Sequence, residues 1–158
     1  VVLQAAKLLE PSAFTDPELD GDIAAVAASK VAAITSVRTL LLQFQRDFAA
    51  APPGDLKGAV LDGRDIGTVV CPEAEIKFYV TANTDIRAER RHKELLECGE
   101  SSIYARVLQD MKERDERDTN RSVAPLKPAE DAFILDTSDL DAEQAFAAAL
   151  AEIKRTGR

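Results

Sequence analysis

Two short segments of the chain combine arginines with acids, and both could bind a phosphorylated ligand. In the first, residues 58–70 (GAVLDGRDIGTVV), an apolar run is followed by Asp62, Arg64 and Asp65. The run predicts a strand buried on both faces, and ligands in an open α/β sheet bind beyond the carboxyl ends of the strands. An ordinary solvated turn after a core strand would show the same pattern, because short motifs also match by chance.

The second segment, residues 112–121 (KERDERDTNR), lies on a predicted helix. Arg114 and Asp118 stand four residues apart on it, and Arg117 and Arg121 add two guanidinium groups. A solvated, mixed-charge helix face is the more frequent origin of such a run, and its i,i+4 ion pair would contribute about 0.5 kcal/mol. Because a planar guanidinium can bond two phosphate oxygens, phosphate binding is the other interpretation.

A third group of arginines lies on the preceding predicted helix, where Arg87, Arg90 and Arg91 stand at i, i+3 and i+4. These residues also fit an ordinary mixed-charge surface helix.

Ser29 in AASKVAA and Arg38 in SVRTLL lie on predicted helical segments near the start of the chain. By themselves they indicate no function.

The composition argues against several classes of protein. The net charge of −8 over 158 residues argues against general nucleic-acid binding, and no apolar run approaches the ~18 residues of a membrane span. The single histidine, His92, argues against a Ser-His-Asp triad or a histidine-rich metal site. The widely spaced Cys71 and Cys98 fit free thiols in a reducing cytosol. We therefore predict a cytoplasmic protein without nucleic-acid or membrane partners.

Hydrophobic periodicity predicts strands that alternate with helices. Strands are predicted at residues 58–61, 75–81 and 132–136. Helices are predicted at residues 1–10, 23–34, 84–98 and 102–117, near Val37 to Phe48, and after Asp141. This alternation indicates parallel strands joined by crossover helices, which is an α/β fold.

Local signals predict where some of these helices begin and end. Thr84 is a predicted N-cap, and Gly99 is predicted to end the same helix. Asp141 with Gln144 resembles a capping box before the last helix. The apolar face of that last helix comprises Phe146, Leu150 and Ile153.

The segments DGRDIGTVVCPEAEIKFYVTA and ERDERDTNRSVAPL resemble the bacterial-type cytidylate kinases, which are P-loop nucleoside monophosphate kinases. The resemblance covers most of the chain from Ala28 onward. It implies an α/β fold with a P-loop NTPase-like parallel sheet of five strands, flanking helices, a helical lid and a nucleotide-binding region. In that family the central strand carries a glycine-rich phosphate loop that ends in lysine. This sequence contains no such segment, so we expect the natural protein to continue upstream of Val1.

The resemblance also implies a division of the chain into regions. Residues 1–22 would be the remnant of a core helix and a shortened insert, and residues 23–50 the helices that bind the nucleoside monophosphate. Residues 51–86 and 122–158 would form the α/β core. Residues 87–121 would form the lid.

Seven positions match the family's contacts with the nucleoside monophosphate: Ser29, Arg38, Arg64, Asp65, Arg114, Asp118 and Arg121. The first two would touch the cytosine ring, and Asp65 would accept from the cytosine amino group. Arg64 and Arg121 would hold the acceptor phosphate, and Arg114 and Asp118 would lie at the ribose hydroxyls. Arg64, Arg114 and Arg121 would be catalytic.

The ATP side of the site is implied in the same way. Arg90 and Arg91, with Arg117, would contact the ATP phosphates from the lid. Asp62 would hold Mg²⁺ through water. The cofactor would therefore be Mg²⁺ bound with ATP.

The implied reaction is transfer of the ATP γ-phosphoryl group to CMP or dCMP by a monomeric enzyme. The attacking phosphate oxygen is already ionised, so catalysis would depend on positioning and on charge stabilisation rather than on a strong base. A chain with many arginines and one histidine suits this chemistry. Two alternatives stay open: a non-catalytic CMP-binding module of the same fold that lacks the phosphate loop, and a kinase for another nucleoside monophosphate such as UMP or AMP.

Overall fold

A computed structural model describes residues 2–7, 27–28, 30–32, 34–52 and 54–156 of the chain. It divides into two compact units, Val1–Leu61 and Asp62–Arg158. The two units are taken separately below.

The first unit is helical. Helix α1 spans Val2–Lys7 and packs on helix α2, which spans Thr35–Ala50. Val37 on α2 is buried, and it anchors the apolar stripe that predicted this helix. The described part of residues 27–32 is also helical, in agreement with the predicted helix at residues 23–34.

The predicted buried strand at residues 58–61 is wrong. These residues have no regular secondary structure, and Val60 is 98% exposed. A strand persists only where its backbone donors and acceptors pair with a neighbouring strand. Among the described residues, only Phe78–Thr81 and Phe133–Asp136 are paired as strands. The apolar run has strand propensity, but no strand among the described residues pairs with it.

The second unit contains a parallel sheet of two strands, β1 (Phe78–Thr81) and β2 (Phe133–Asp136). The register pairs Phe78 with Phe133 and Thr81 with Asp136. Parallel strands cannot be joined by a tight turn, and here the connection contains α3 (Thr84–Glu97) and α4 (Tyr104–Asn120). The predicted α/β alternation is thus confirmed for two of the three strands, whereas the five-stranded sheet stays a prediction.

The N-cap of helix α3 lies one residue before the predicted one. Asn83, not Thr84, is the N-cap, and its side chain accepts a hydrogen bond from the N–H of Asp85 at 2.9 Å. Asn and Thr are both good caps, so composition alone did not separate them. Gly99 ends the helix as predicted: at φ +81° it adopts a left-handed conformation in which glycine carries no Cβ strain.

Helix α5, Ala142–Arg155, follows β2 and packs on it. The predicted capping box is confirmed, because Gln144 N–H donates to Asp141 at 2.8 Å and Asp141 N–H donates to the Gln144 side chain at 2.9 Å. Its apolar face is only partly covered, and Phe146 remains 69% exposed. Two short strands offer too little surface to bury the whole stripe of the helix.

Helices α3 and α4 pack against each other, and α3 contributes Ala88 and Leu95 to the core of the unit. A π-helical turn, Ile66–Val70, precedes the sheet and buries Val70. No helix in the described part of the chain has the length and apolar character needed to cross a bilayer.

Candidate active site

Arg64 and Asp118 form the centre of the candidate site. Arg64 lies in the bend before the π-helical turn, and Asp118 lies in the last turn of α4. The Nε of Arg64 donates to Oδ2 of Asp118 at 2.7 Å. The Asp118 side chain is 11% exposed and the Arg64 side chain 42%, so the acid is nearly covered while the guanidinium still reaches solvent. The contact joins two segments that sequence analysis singled out independently.

Arg114 is the second guanidinium beside this carboxylate. Its Nε lies 3.9 Å from the same Oδ2 of Asp118. Partial burial lowers the pKa of Arg114, and the nearby positive charge of Arg64 lowers it further. One carboxylate faces two guanidinium groups here, which leaves an excess of positive charge beside Asp118. Such an excess favours an anionic ligand.

Arg121 ends helix α4 and carries an unsatisfied donor. Its Nε donates to the backbone carbonyl of Ala124, whereas its Nη2 is buried and has no hydrogen-bond partner among the described residues. The loop is held in place by Leu126, whose N–H donates to the carbonyl of Asp118 at 2.8 Å. A buried donor without a partner is costly, and an anion at this point would satisfy it.

The acids at residues 62 and 65 differ in their surroundings. Asp62 is exposed, and Asp65 is half-buried at the start of the π-helical turn. The backbone carbonyl of Asp65 accepts from the N–H groups of Val69 at 2.9 Å and Val70 at 3.2 Å, which fixes the backbone that carries its side chain. No group of three His, Cys, Asp or Glu side chains that could hold a metal lies together in the described ranges.

The arginines predicted to meet ATP have other contacts here. Arg90 donates to the carbonyls of Thr137 at 2.6 Å and Leu140 at 2.9 Å, and to the Thr137 hydroxyl at 3.1 Å. Arg91 pairs with Glu94 at 3.0 Å. Arg117 is exposed. Their contact with ATP phosphates stays a prediction, and Arg90 in this structure ties α3 to the chain after β2.

Arg87 has a contact that sequence reasoning did not assign. It binds Asp115 of α4 through both guanidinium Nη atoms, at 3.1 and 2.5 Å. This bond raises the pKa of Arg87. The two residues are 28 positions apart, so no helical spacing could have paired them. Only the packing of α3 on α4 reveals it.

The remaining predicted ligands of the base belong to the first unit. Arg38 on α2 donates from Nη1 to the carbonyl of Ala32 at 3.3 Å. Ser29 lies outside the described residues. Their roles stay predictions.

A separate cleft of about 310 Å³ lies at the amino ends of the two strands. Its charged groups are largely paired within the protein: Lys77 binds Asp131 at 2.6 Å, and Arg155 binds Glu152. Catalytic groups in α/β folds gather at the carboxyl ends of strands instead. The Arg64–Asp118 cluster therefore remains the better candidate.

Known proteins resemble this chain in sequence. The family model described as cytidylate kinase matches residues 8–155. A cytidylate kinase of Paramagnetospirillum magneticum is 67% identical over 147 residues, which are 93% of this chain and 69% of that protein. Cytidylate kinases of Rhodospirillum rubrum and Rhodopseudomonas palustris BisB18 are 55% and 52% identical, over 94% and 98% of this chain and 70% and 72% of their own lengths.

The family model spans nearly the whole chain, and the relatives share more than half of its residues. The chain therefore belongs to the cytidylate kinase family, whose members are ATP-dependent nucleoside monophosphate kinases with an α/β P-loop fold.

Proposed function

We propose that the chain carries the acceptor site of a kinase that transfers the ATP γ-phosphoryl group to CMP or dCMP. One observation carries the proposal. The Nε atoms of Arg64 and Arg114, which are 50 residues apart in the chain, both lie near Oδ2 of Asp118. The relatives bear the name cytidylate kinase, which supports cytosine as the base.

The acceptor phosphate would bind to guanidinium groups that the protein holds but does not fully use. Arg64 gives its Nε to Asp118, which leaves its Nη atoms for a phosphate. Arg121 has the buried Nη2 that lacks a partner among the described residues. An anion between them would gain charge-assisted hydrogen bonds without first breaking any at those atoms.

The nucleoside would be read by carboxylates. Asp118 is nearly buried and anchored through its backbone, so it can accept from ribose hydroxyls. Asp65 would accept from the cytosine amino group, and its backbone is fixed by the π-helical turn. Ser29 and Arg38 would complete recognition of the ring.

Charge stabilisation would supply most of the catalysis. Phosphoryl transfer builds negative charge on the equatorial oxygens of the transferred group, and preorganised arginines stabilise it. Arg64, Arg114 and Arg121 would have this role. The acceptor oxygen is already ionised, so no residue is needed as a strong base.

Mg²⁺ would be bound mainly by nucleotide phosphates and water, because Mg²⁺ in kinase sites takes only one or two carboxylates from the protein. The exposed Asp62 fits this limited role. When bound, the ion would neutralise charge on the β- and γ-phosphates. The predicted lid at residues 87–121, with Arg90, Arg91 and Arg117, would close over ATP, and the five-stranded sheet would support both sites.

Calorimetric titration of the chain with CMP, dCMP, UMP and AMP tests the proposal. We expect CMP or dCMP to bind at least about tenfold more tightly than UMP or AMP. Uracil would present a carbonyl oxygen to the Asp65 carboxylate instead of an amino group, and the larger purine of AMP would place its amino group at a different position. The Asp65→Ala variant should lose this preference, whereas Glu75→Ala, at an exposed acid, should keep it. Equal affinity for all four nucleotides would contradict the proposal for cytosine.

A coupled assay that measures ADP formation from ATP and CMP, run on the natural protein purified from its source, separates a kinase from a binding module. Phosphoryl transfer that requires CMP supports the kinase. Selective CMP binding without transfer would instead favour the non-catalytic module.

A further inference from the structure

We propose that the Arg87–Asp115 pair is a positioning device for the nucleotide site, which fixes helix α4 so that Arg114 and Asp118 face Arg64. This inference rests on the proposed function, because it concerns how the acceptor site is assembled. Neither residue of the pair belongs to the predicted site.

The Arg87 guanidinium is almost saturated with protein contacts. Its Nη atoms bind both carboxylate oxygens of Asp115, its Nε donates to the carbonyl of Ala82 at 3.1 Å, and Nη2 also donates to the Thr84 hydroxyl at 3.0 Å. Three elements therefore meet at one rigid fork: the end of β1, the first turn of α3 and the middle of α4. The planar geometry defines the position of Asp115 more narrowly than a single ion pair would.

Asp115 lies next to Arg114 and one turn before Asp118 on the same helix. Three helical residues turn the chain by about 300°, so the side chains of Asp115 and Asp118 project about 60° apart. A helix is stiff over one turn. Holding Asp115 against Arg87 thus sets the rotation of α4, and the rotation decides whether Asp118 reaches the Nε of Arg64.

Other restraints on α4 lie mainly at its start, where the Tyr104 hydroxyl donates to Asp85 at 3.5 Å and the Tyr104 ring contacts His92 of α3. The helix has no side-chain N-cap, and its one buried residue is Asp118 itself. No apolar side chain of α4 is fully buried, so packing alone leaves the helix some freedom to rotate. The side chains of Arg87 and Asp115 are 33% and 30% exposed, so solvent screens their mutual attraction only in part.

Titration of CMP into the parent chain and into its Asp115→Asn variant tests the inference, because a charge effect and a positioning effect would change the affinity in opposite directions. Loss of a negative charge near a phosphate site should strengthen anion binding if only the charge matters. Loss of positioning should weaken CMP binding, and we expect a decrease of about tenfold. Glu116→Gln, which removes the same charge from an exposed position one residue further along α4, should bind CMP at least as tightly as the parent chain.

Two further variants distinguish positioning from a general loss of structure. Arg87→Lys keeps the charge but lacks the fork, and it should also weaken CMP binding while the thermal unfolding midpoint stays within a few degrees of the parent. In the Asp118→Asn background, Asp115→Asn should have little further effect, because the residue through which it acts is already altered. This comparison uses an Asp118→Asn variant that keeps the unfolding midpoint of the parent and measurable CMP binding.

Unchanged or tighter CMP binding by both Asp115→Asn and Arg87→Lys would overturn the inference. So would fully additive losses in the Asp115→Asn/Asp118→Asn double variant. Absence of CMP binding by the parent chain is a different result, which would contradict the proposed function itself.

Discussion

Arg64 and Asp118 are 54 residues apart in the chain, and their side chains meet at 2.7 Å through the Nε of the arginine. The use of Nε matters because this hydrogen bond to the acid does not occupy the Nη groups. Asp118 therefore orients Arg64 without consuming its capacity to bind an anion. Under the proposed function, the Nη groups of Arg64 bind the acceptor phosphate.

Replacement of Arg64 by lysine should weaken CMP binding by about tenfold, since an ammonium group cannot bind Asp118 and a phosphate in fixed directions at once. Calorimetric titration measures the effect. Arg106→Lys, at an exposed arginine on α4, is the matched control and should bind CMP as the parent chain does. Equal affinities for the Arg64→Lys variant and the parent would show that Arg64 does not hold the phosphate.

Replacement of Arg90 by lysine should lower the free energy of unfolding by about 1–2 kcal/mol, because its fork bonds two backbone carbonyls and the Thr137 hydroxyl. Chemical denaturation of the chain without ligand measures this loss. Lys93→Arg, at an exposed position on the same helix, should leave stability unchanged. A variant of parent stability that nonetheless binds ATP less tightly would instead assign Arg90 to the ATP phosphates alone.

The unfolding midpoint should fall as the pH drops below about 4, in part through Asp131. Its hydrogen bond with Lys77 lowers the pKa of this carboxyl in the folded state. A carboxyl with a lowered folded pKa stabilises the protein above its unfolded pKa of about 3.9, and this contribution is lost as the pH falls through the folded pKa. Thermal unfolding between pH 7 and pH 2.5 should show a smaller decline for Asp131→Asn than for Glu130→Gln. Parallel declines in the two variants would refute the assignment.

Replacement of Asp141 by alanine should destabilise the protein by about 1 kcal/mol, because it removes the N-cap and half of the capping box of α5. Denaturant unfolding measures the change. Asp139→Ala alters an exposed acid just outside the helix and serves as the control. If both substitutions had the same effect, charge rather than capping would explain it.

Local rules predicted the features that depend on neighbouring residues. The capping box at Asp141 and the helix end at Gly99 follow from hydrogen bonds within a few positions. The parallel pairing of β1 with β2 follows from strands alternating with helices. The same rules gave a strand at residues 58–61, where the outcome depends on a partner that local sequence does not specify.

Side-chain contacts at long range were predictable only in part. The sequence marked both Arg64 and Asp118 as charged residues near predicted element ends, yet only folding brings them together. The family resemblance implies that Arg90 meets ATP, whereas its bonds to backbone carbonyls have no signature in the residue types and could not be predicted. The contact between Arg87 and Asp115 was not predictable for a related reason, since the packing of two helices decides which of many charged side chains meet.

The exposed stretch before residue 62 has a practical consequence for anyone who handles the protein. Leu56 is 66% exposed and Val60 98%, and they lie without regular structure just before the boundary of the two compact units. Apolar side chains in an accessible, extended backbone are preferred substrates for thermolysin. Among the described residues, brief digestion should cut there first and yield a fragment that begins near residue 60 and retains Arg64, Arg114 and Asp118.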